Sequence, residues 1–376
     1  MAEATTTAGL RNVVAGQSGI SSIDGQRGIL AYRGIDIHEL AERSTFEETV
    51  FLLYEDRLPT AAELAAFRHD LTRERGVPEP VLQIVRSLPA ATHPMTSLRT
   101  AVSALAAYDP DAEATDTVTR KRLALRLVAQ APTLVAAIER SRRGQPPVAP
   151  DEALGHAANF LFMLTGTRPE PAAERAMDVA LVLHADHEFN ASTFAARVAA
   201  STLADLHGAI TAALATLKGP LHGGANEAVM RTLQEIGGPE KAEEWVKRAF
   251  ADKRKIMGFG HAVYRTEDPR ATHLRRLSRQ VGEAASQRSW FDLSERVEEI
   301  VRREKGLFPN VDFYSASLYF VMGIPIDLFT PVFAVSRMAG WTAHVLEQWS
   351  NNKLIRPESE YVGRSGVRYV PLEARG

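Results

Sequence analysis

Apolar residues along the chain recur mainly at three- and four-residue spacing, which predicts helices that each bury one face. The exception comes early. In "SSIDGQRGILAYRG" the pair Asp24-Gly25 stands between two short apolar stretches and predicts a small β-hairpin. Helices are then expected over 46–54 and 61–75, with Ser44 and Glu47, and again Thr60 and Glu63, at capping-box spacing. In that arrangement a hydroxyl and a carboxylate satisfy free amides at a helix start. Further helical periods cover 97–108, 117–142, 153–164, 172–187, 192–203, 208–217, 226–236, 239–251, 269–285, 293–304, 311–322 and 328–349. Alanine richness favours helix and lets neighbouring helices approach closely. No segment repeats at a fixed period, which argues against a solenoid. The whole reads as an all-α protein with one hairpin near its N-terminus.

Breaks in the pattern locate the connections. "RGQPPVAPDEA" (143–153) is either a linker or a loop inside one helical domain, since helical periodicity resumes on both sides. "LKGPLHGGAN" and "IMGFGHAV" are hinge candidates, because glycine tolerates backbone conformations that other residues resist. The most apolar stretch, 313–339, is interrupted by Pro325, Asp327, Pro331 and Arg337, so it reads as buried helix rather than a membrane span.

Composition then narrows the chemistry. A chain of 376 residues, 45% hydrophobic, can bury a sizeable core, and 44 basic against 46 acidic residues, interspersed, give neither a nucleic-acid footprint nor an acidic tail. Small molecules and copies of itself are the expected partners. The absence of cysteine excludes disulfides, thiolate metal sites, iron–sulfur clusters and thiol nucleophiles. "MAEATTTAGLRN" lacks the apolar core of a secretory signal, so the cytoplasm is the expected location.

Four constellations carry candidate chemistry. In "GPLHGGANEAV", His222 stands just ahead of a predicted helix start, whose partial positive charge disfavours imidazolium; it is either a neutral hydrogen-bond donor or a turn cap. In "KIMGFGHAVYRTEDPR", His261 follows Gly258 and Gly260, among Arg254, Lys255, Arg265 and Arg270. That loop suits anions, or is a solvated basic turn, and it matches neither a dinucleotide fingerprint nor a Walker-type phosphate loop. In "PNVDFYSASLY", Asp312 abuts a strongly apolar helix, which raises a carboxylate's pKa and makes it a better base; the alternative is an ordinary acid of a first helical turn. In "LHADHEFNASTF", His184 and His187 sit three apart, but without a third ligand or an HExxH pattern they read as hydrogen-bonded structure rather than a metal site.

Taken together and in this order, these segments resemble the citrate synthase family over nearly the whole chain. The resemblance runs from "SSIDGQRGILAYRGIDIHELAERSTFEETVFLLYEDRLP" through "HPMTSLRTAVSAL" to "YVPLEARG", and it is most specific in "GPLHGGANEAV", "GFGHAVYRTEDPRA" and "PNVDFYSASLY". Length and short N-terminus are similar to the compact bacterial and archaeal form. The resemblance implies a homodimer of two-domain helical subunits, with a large domain over 1–223 and 323–376 and a small domain over 224–322. It implies a catalytic trio of His222, His261 and Asp312 in the interdomain cleft. Oxaloacetate would be held by His187, Arg270, Arg337 and Arg356, the last from the neighbouring subunit. Coenzyme A would meet Arg265, Lys305 and Lys255.

The implied reaction is the entry step of the tricarboxylic acid cycle, an acyl transfer in which acetyl-CoA condenses with oxaloacetate to give citrate and CoA. It calls for no metal or redox cofactor, only acid–base catalysis and prearranged hydrogen bonds. Arginine forks match the two carboxylates of oxaloacetate. Closure about Gly219, Gly223 and Gly224 would exclude water until that substrate is bound. Within the family the rival is 2-methylcitrate synthase, which uses propionyl-CoA. Outside it stand a histidine-based metallohydrolase and a non-catalytic helical binding protein.

Overall fold

A computed structural model of the chain describes residues 8–10 and 13–375. Among them, sixteen α-helices follow a small antiparallel sheet. The sheet is the expected hairpin with an added edge: β1 (Ser21–Asp24) pairs with β2 (Ile29–Tyr32), which pairs with β3 (Ile35–Asp36). Ser21 faces Tyr32, Asp24 faces Ile29, and Ala31 faces Asp36. The third strand is a correction to the sequence reading; at two residues it is too short to show alternation.

The helices are α1 (Ile37–Arg43), α2 (Phe46–Glu55), α3 (Ala61–Arg73), α4 (Glu79–Ser87), α5 (Pro94–Leu105), α6 (Thr117–Arg142), α7 (His156–Thr165) and α8 (Pro171–His184). They continue with α9 (Ala191–Ser201), α10 (Leu206–Leu217), α11 (Ala225–Ile236), α12 (Ala242–Ala251), α13 (Pro269–Ala284), α14 (Ser289–Lys305), α15 (Val311–Val321) and α16 (Phe329–Ser350). The sequence reading contains neither α1 nor α4. The capping box of Thr60 and Glu63 forms as expected at α3. At α2 the cap is Thr45, whose hydroxyl accepts from the Glu48 N–H at 3.3 Å, while Ser44 ends α1. Glu47 turns inward instead and accepts from the His156 N–H at 2.9 Å.

Core burial explains the arrangement. Helix α6 is buried almost all round from Leu123 to Glu139, and α16 likewise from Phe329 to Val345. These two pack on each other at the centre, and α9 and α10 pack on α16. Helices α11, α13 and α15 form a neighbouring group, with α15 packed against both others. Helices α6 and α7 pack together, so the proline-rich segment between them is a loop and not a linker. The apolar stretch 313–339 breaks into α15 and α16 around Pro325, and no described helix is long and apolar enough to cross a membrane.

Candidate active site

A cleft of about 440 Å³ is lined by His187, His222, His261, Arg270, Asp312 and Arg337. These six come from segments as far apart as 187 and 337: the three histidines from the loops before α9, α11 and α13, Arg270 and Asp312 from the first turns of α13 and α15, and Arg337 from the middle of α16. The walls include the starts of α9, α13 and α15 and the turn before α11. Four helix N-termini therefore add partial positive charge to the two guanidiniums.

Two of the histidines are held in a defined tautomer by backbone N–H donors. The backbone N–H of Ser192 donates to His222 Nε2 at 3.3 Å, and the Ser192 hydroxyl lies 2.8 Å from the same nitrogen. With Nε2 an acceptor, the neutral ring carries its proton on Nδ1. At His261 the opposite holds: Nδ1 accepts from the N–H groups of Val263 (3.0 Å) and Tyr264 (3.2 Å), which puts the proton on Nε2. His187 Nε2 is hydrogen-bonded to the Tyr264 hydroxyl at 3.2 Å, and its ring stands edge-on to His261 with centroids 5.2 Å apart.

Burial and nearby positive charge keep all three rings neutral. Burial, aided by the Arg337 guanidinium, brings His222 down to about 4. Burial and Arg270 bring His261 to about 4 despite Asp268. Burial, Arg270 and His261 hold His187 well below the usual imidazole range. The sequence reading assigned the low value of His222 to a helix terminus; the structure adds desolvation and a guanidinium.

The charged groups divide unequally. Arg270 is gripped by Asp268 through Nε (2.9 Å) and Nη2 (2.7 Å), so burial is outweighed and its pKa is raised. Arg337 donates from Nε to the His184 carbonyl at 2.7 Å and lies over the Phe333 ring at 4.6 Å, yet among the described residues no carboxylate pairs with it. Burial lowers it to about 10, which leaves it a cation at neutral pH. Asp312 also has no ionic partner among the described residues; burial raises it to about 6, against the pull of Arg270. An unpaired buried cation is costly unless an anion joins it, so the cleft is built for an anionic ligand. A larger hollow, about 670 Å³, lies beside α3 and the starts of α7 and α8, where Arg175 is paired with Asp178 at 2.8 Å.

The remaining sequence candidates lie outside the cleft. Arg356, Arg265, Lys305 and Lys255 are all exposed. Lys305 Nζ rests over the Phe250 ring at 5.1 Å, and Arg265 extends from the His261 loop. Helix α8 ends at His184, short of the expected 187, so His184 and His187 do not share a helical face; His184 Nδ1 bonds to the Ala180 carbonyl at 2.7 Å. No group of three or more His, Asp or Glu side chains able to hold a metal occurs among the described residues.

Three supporting residues escaped the sequence reading. Asp268 and Asn190 cap α13 and α9, and the helix-start pattern at "DPR" and "NAST" is the signal that could have found them. Ser192 gave no signal, because its partner His222 is thirty positions away.

Comparison with known proteins accords with this geometry. The family described as "Citrate synthase, C-terminal domain" matches residues 9–358. Citrate synthase 2 of Bacillus subtilis is 49% identical over 99% of this chain and 100% of its own, and a 2-methylcitrate synthase of Mycobacterium tuberculosis is 45% identical over 94% and 90%. Among solved structures, a citrate synthase of the archaeon Thermoplasma acidophilum, in ternary complex with carboxymethyl coenzyme A and oxaloacetate, superposes with a TM-score of 0.92 at 32% identity over 97% of this chain and 98% of that one. With its sequence matched end to end and its chemistry gathered in one cleft, the chain belongs to the citrate synthase family.

Proposed function

We propose that the protein condenses acetyl-CoA with oxaloacetate and hydrolyses the resulting citryl-CoA to citrate and CoA. The observation that carries this is the lone, buried Arg337 guanidinium facing the same cleft as Arg270, three neutral imidazoles and a carboxylate raised to about 6. Oxaloacetate supplies the missing anion, with one carboxylate on Arg337 and the other on Arg270, and His187 contacts it as well. Asp312 takes a proton from the acetyl methyl group. His222, through Nδ1–H, donates to the thioester oxygen and stabilises the enol or enolate. The new carbon nucleophile attacks the ketone carbon, and His261 donates from Nε2–H to the ketone oxygen as it becomes the hydroxyl of citrate. Each of these functions is worth ~10²-fold or more. A dry cleft strengthens all of them.

The subunit divides into a small domain (224–322) closing on a large one (1–223 and 323–376), with Gly219, Gly223 and Gly224 at the hinge. Arg265, Lys305 and Lys255, all on the surface of the small domain, are the contacts for CoA phosphates. The protein acts as a cytoplasmic homodimer in which Arg356 completes the partner's oxaloacetate site. The tail after α16 supports that reading: Tyr361, Val362 and Tyr369 are 75, 89 and 81% exposed in the single chain, an apolar surface that a second subunit would cover. The chemistry needs only acid–base groups and hydrogen-bond donors, with no metal. A second reading, propionyl-CoA as acyl donor, draws on the likeness to a 2-methylcitrate synthase. One methylene in an apolar pocket is worth only ~1–3 kcal/mol.

Initial rates of CoA release with acetyl-CoA and propionyl-CoA, each with and without oxaloacetate and with EDTA, test the assignment. Release that requires oxaloacetate, ignores EDTA and is faster with acetyl-CoA is expected. Absence of turnover with either ester overturns it, and a preference for propionyl-CoA selects the second reading.

A further inference from the structure

The cleft histidines His187 and His261 sit on two loops that share a neighbour, the small N-terminal sheet. From β1, Ser21 Oγ donates to Asp186 Oδ2 at 2.5 Å and the Ile23 N–H donates to Glu188 Oε1 at 3.1 Å, one residue either side of His187. The turn between β1 and β2 meets the other loop: the Arg265 N–H donates to the Gly25 carbonyl at 2.8 Å. Gly25 touches that loop so closely that an added Cβ would fall within 2.9 Å of the Val263 carbonyl carbon and inside the contact distance of its oxygen. Gly28 repeats the pattern, its Cβ reaching 2.8 Å from Thr266 Cγ2 and 3.0 Å from the Glu267 carbonyl oxygen. Val263 also supplies one of the two N–H groups that hold His261 Nδ1.

We infer that Gly25 is a positioning residue for the reaction: it lets the sheet dock flush on the Val263 peptide and so sets the orientation of His261 and its spacing from His187. The role of His261 rests on the function proposed above; the docking itself is read from the contacts. Gly25 lies outside the left-handed region, so alanine there meets no backbone strain of its own, only the peptide of the catalytic loop. Something must give, and the Val263 peptide carries His261 with it. Misplacement on the order of 1 Å is enough to cost ~10²-fold.

A matched control exists in the same sheet. Gly34 has φ +80° with no atom within 4 Å of an added Cβ, so Gly34→Ala strains the backbone without touching the catalytic loop; Gly28, at φ +66°, carries the same strain plus the loop contact. Kinetics and thermal melts of Gly25→Ala, Gly28→Ala and Gly34→Ala, with NMR titration of the His261 ring, form the test. Expected are a rise of ~10-fold or more in KM for oxaloacetate for Gly25→Ala and Gly28→Ala, a His261 titration moved toward the ordinary imidazole range, and for Gly34→Ala a lower Tm with unchanged KM. Wild-type KM and an unmoved His261 resonance in the two loop-facing variants overturn the inference, as does an equal KM rise in Gly34→Ala. If Gly25→Ala does not fold, the Gly28 and Gly34 pair decides. If the wild-type protein turns over nothing, the reaction falls, while the ring resonance still reports whether the sheet holds His261.

Discussion

The proposed chemistry turns on Asp312, and the environment of that residue predicts two opposite effects of one substitution. As a base it must be ionised, so kcat/KM should fall as pH drops through about 6. Asp312→Asn should lower kcat by ~10²-fold to 10⁴-fold with oxaloacetate binding kept. Stability should move the other way. The folded-state pKa lies above the unfolded value near 4, so the ionised carboxylate is destabilising once pH exceeds both, and the penalty vanishes at low pH. The Asn variant should therefore melt at a higher temperature than wild type at pH 7.5 and at the same temperature near pH 4, which calorimetry at the two values would check. Arg337 behaves similarly: without a carboxylate partner among the described residues it adds little to the empty fold, so Arg337→Gln should raise the oxaloacetate KM ~10²-fold or more while leaving Tm unchanged or higher. That His222, His261 and Asp312 belong together was legible because each sits in a short local motif of glycines, a cap or an apolar run, and the structure brings all three to one cleft. Ser192 was not, because a hydrogen bond to a distant imidazole leaves no periodic trace, and the cap pattern at Asp268 gave no hint of its salt bridge to Arg270.

At the scale of elements, helix starts do two jobs. Asn310 caps α15 by accepting from the Asp312 N–H at 3.0 Å, and its amide donates to the Gly260 carbonyl at 2.9 Å, so it ties the base to the loop of His261. Asn310→Ala should cost about 1 kcal/mol of stability, the usual value of a cap, and lower kcat as well. Asn310→Asp keeps the cap but places a second carboxylate beside Asp312, which raises the pKa of the base; the acid limb of the pH profile should shift above 6, and an unmoved limb would refute the coupling. Long helices were the easiest elements to read: α6 was expected over 117–142 and spans those residues. Helices α1 and α4 went unread because seven and nine residues, hemmed by Pro78 and Pro80 in the second case, give too few periods. Ser44 was expected as a cap because hydroxyls stand side by side at 44 and 45, and spacing alone does not choose between them.

For the whole molecule, the proposed sharing of Arg356 between subunits makes a mixing prediction. Asp312→Asn and Arg356→Gln homodimers should each be nearly inactive. After subunit exchange, half of the dimers are mixed and each holds one intact site, so activity should return to about a quarter of wild type if the site is shared across a two-fold interface. No recovery, with exchange verified by mass, would place Arg356 in its own subunit's site, and a fully active Arg356→Gln homodimer would place it outside the site. The proposed domain closure adds that oxaloacetate should bind first and tighten binding of the CoA ester, measurable by calorimetry. This level was the least legible, since a chain's sequence records its own helices well but leaves no periodic mark of a surface between copies; Tyr361 and Tyr369 are exposed without any pattern around them.

The caps of α9, α13 and α15 carry a practical warning for anyone seeking a hardier version of this enzyme. Asn190, Asp268 and Asn310 look like positions where any good capping side chain would serve, and a thermostability screen would treat them as interchangeable. Asp268 also fixes the fork of Arg270, and Asn190 also meets the serine that holds His222. Swapping in Ser or Thr at these three sites would yield a sturdy scaffold whose reactive groups no longer point at one another.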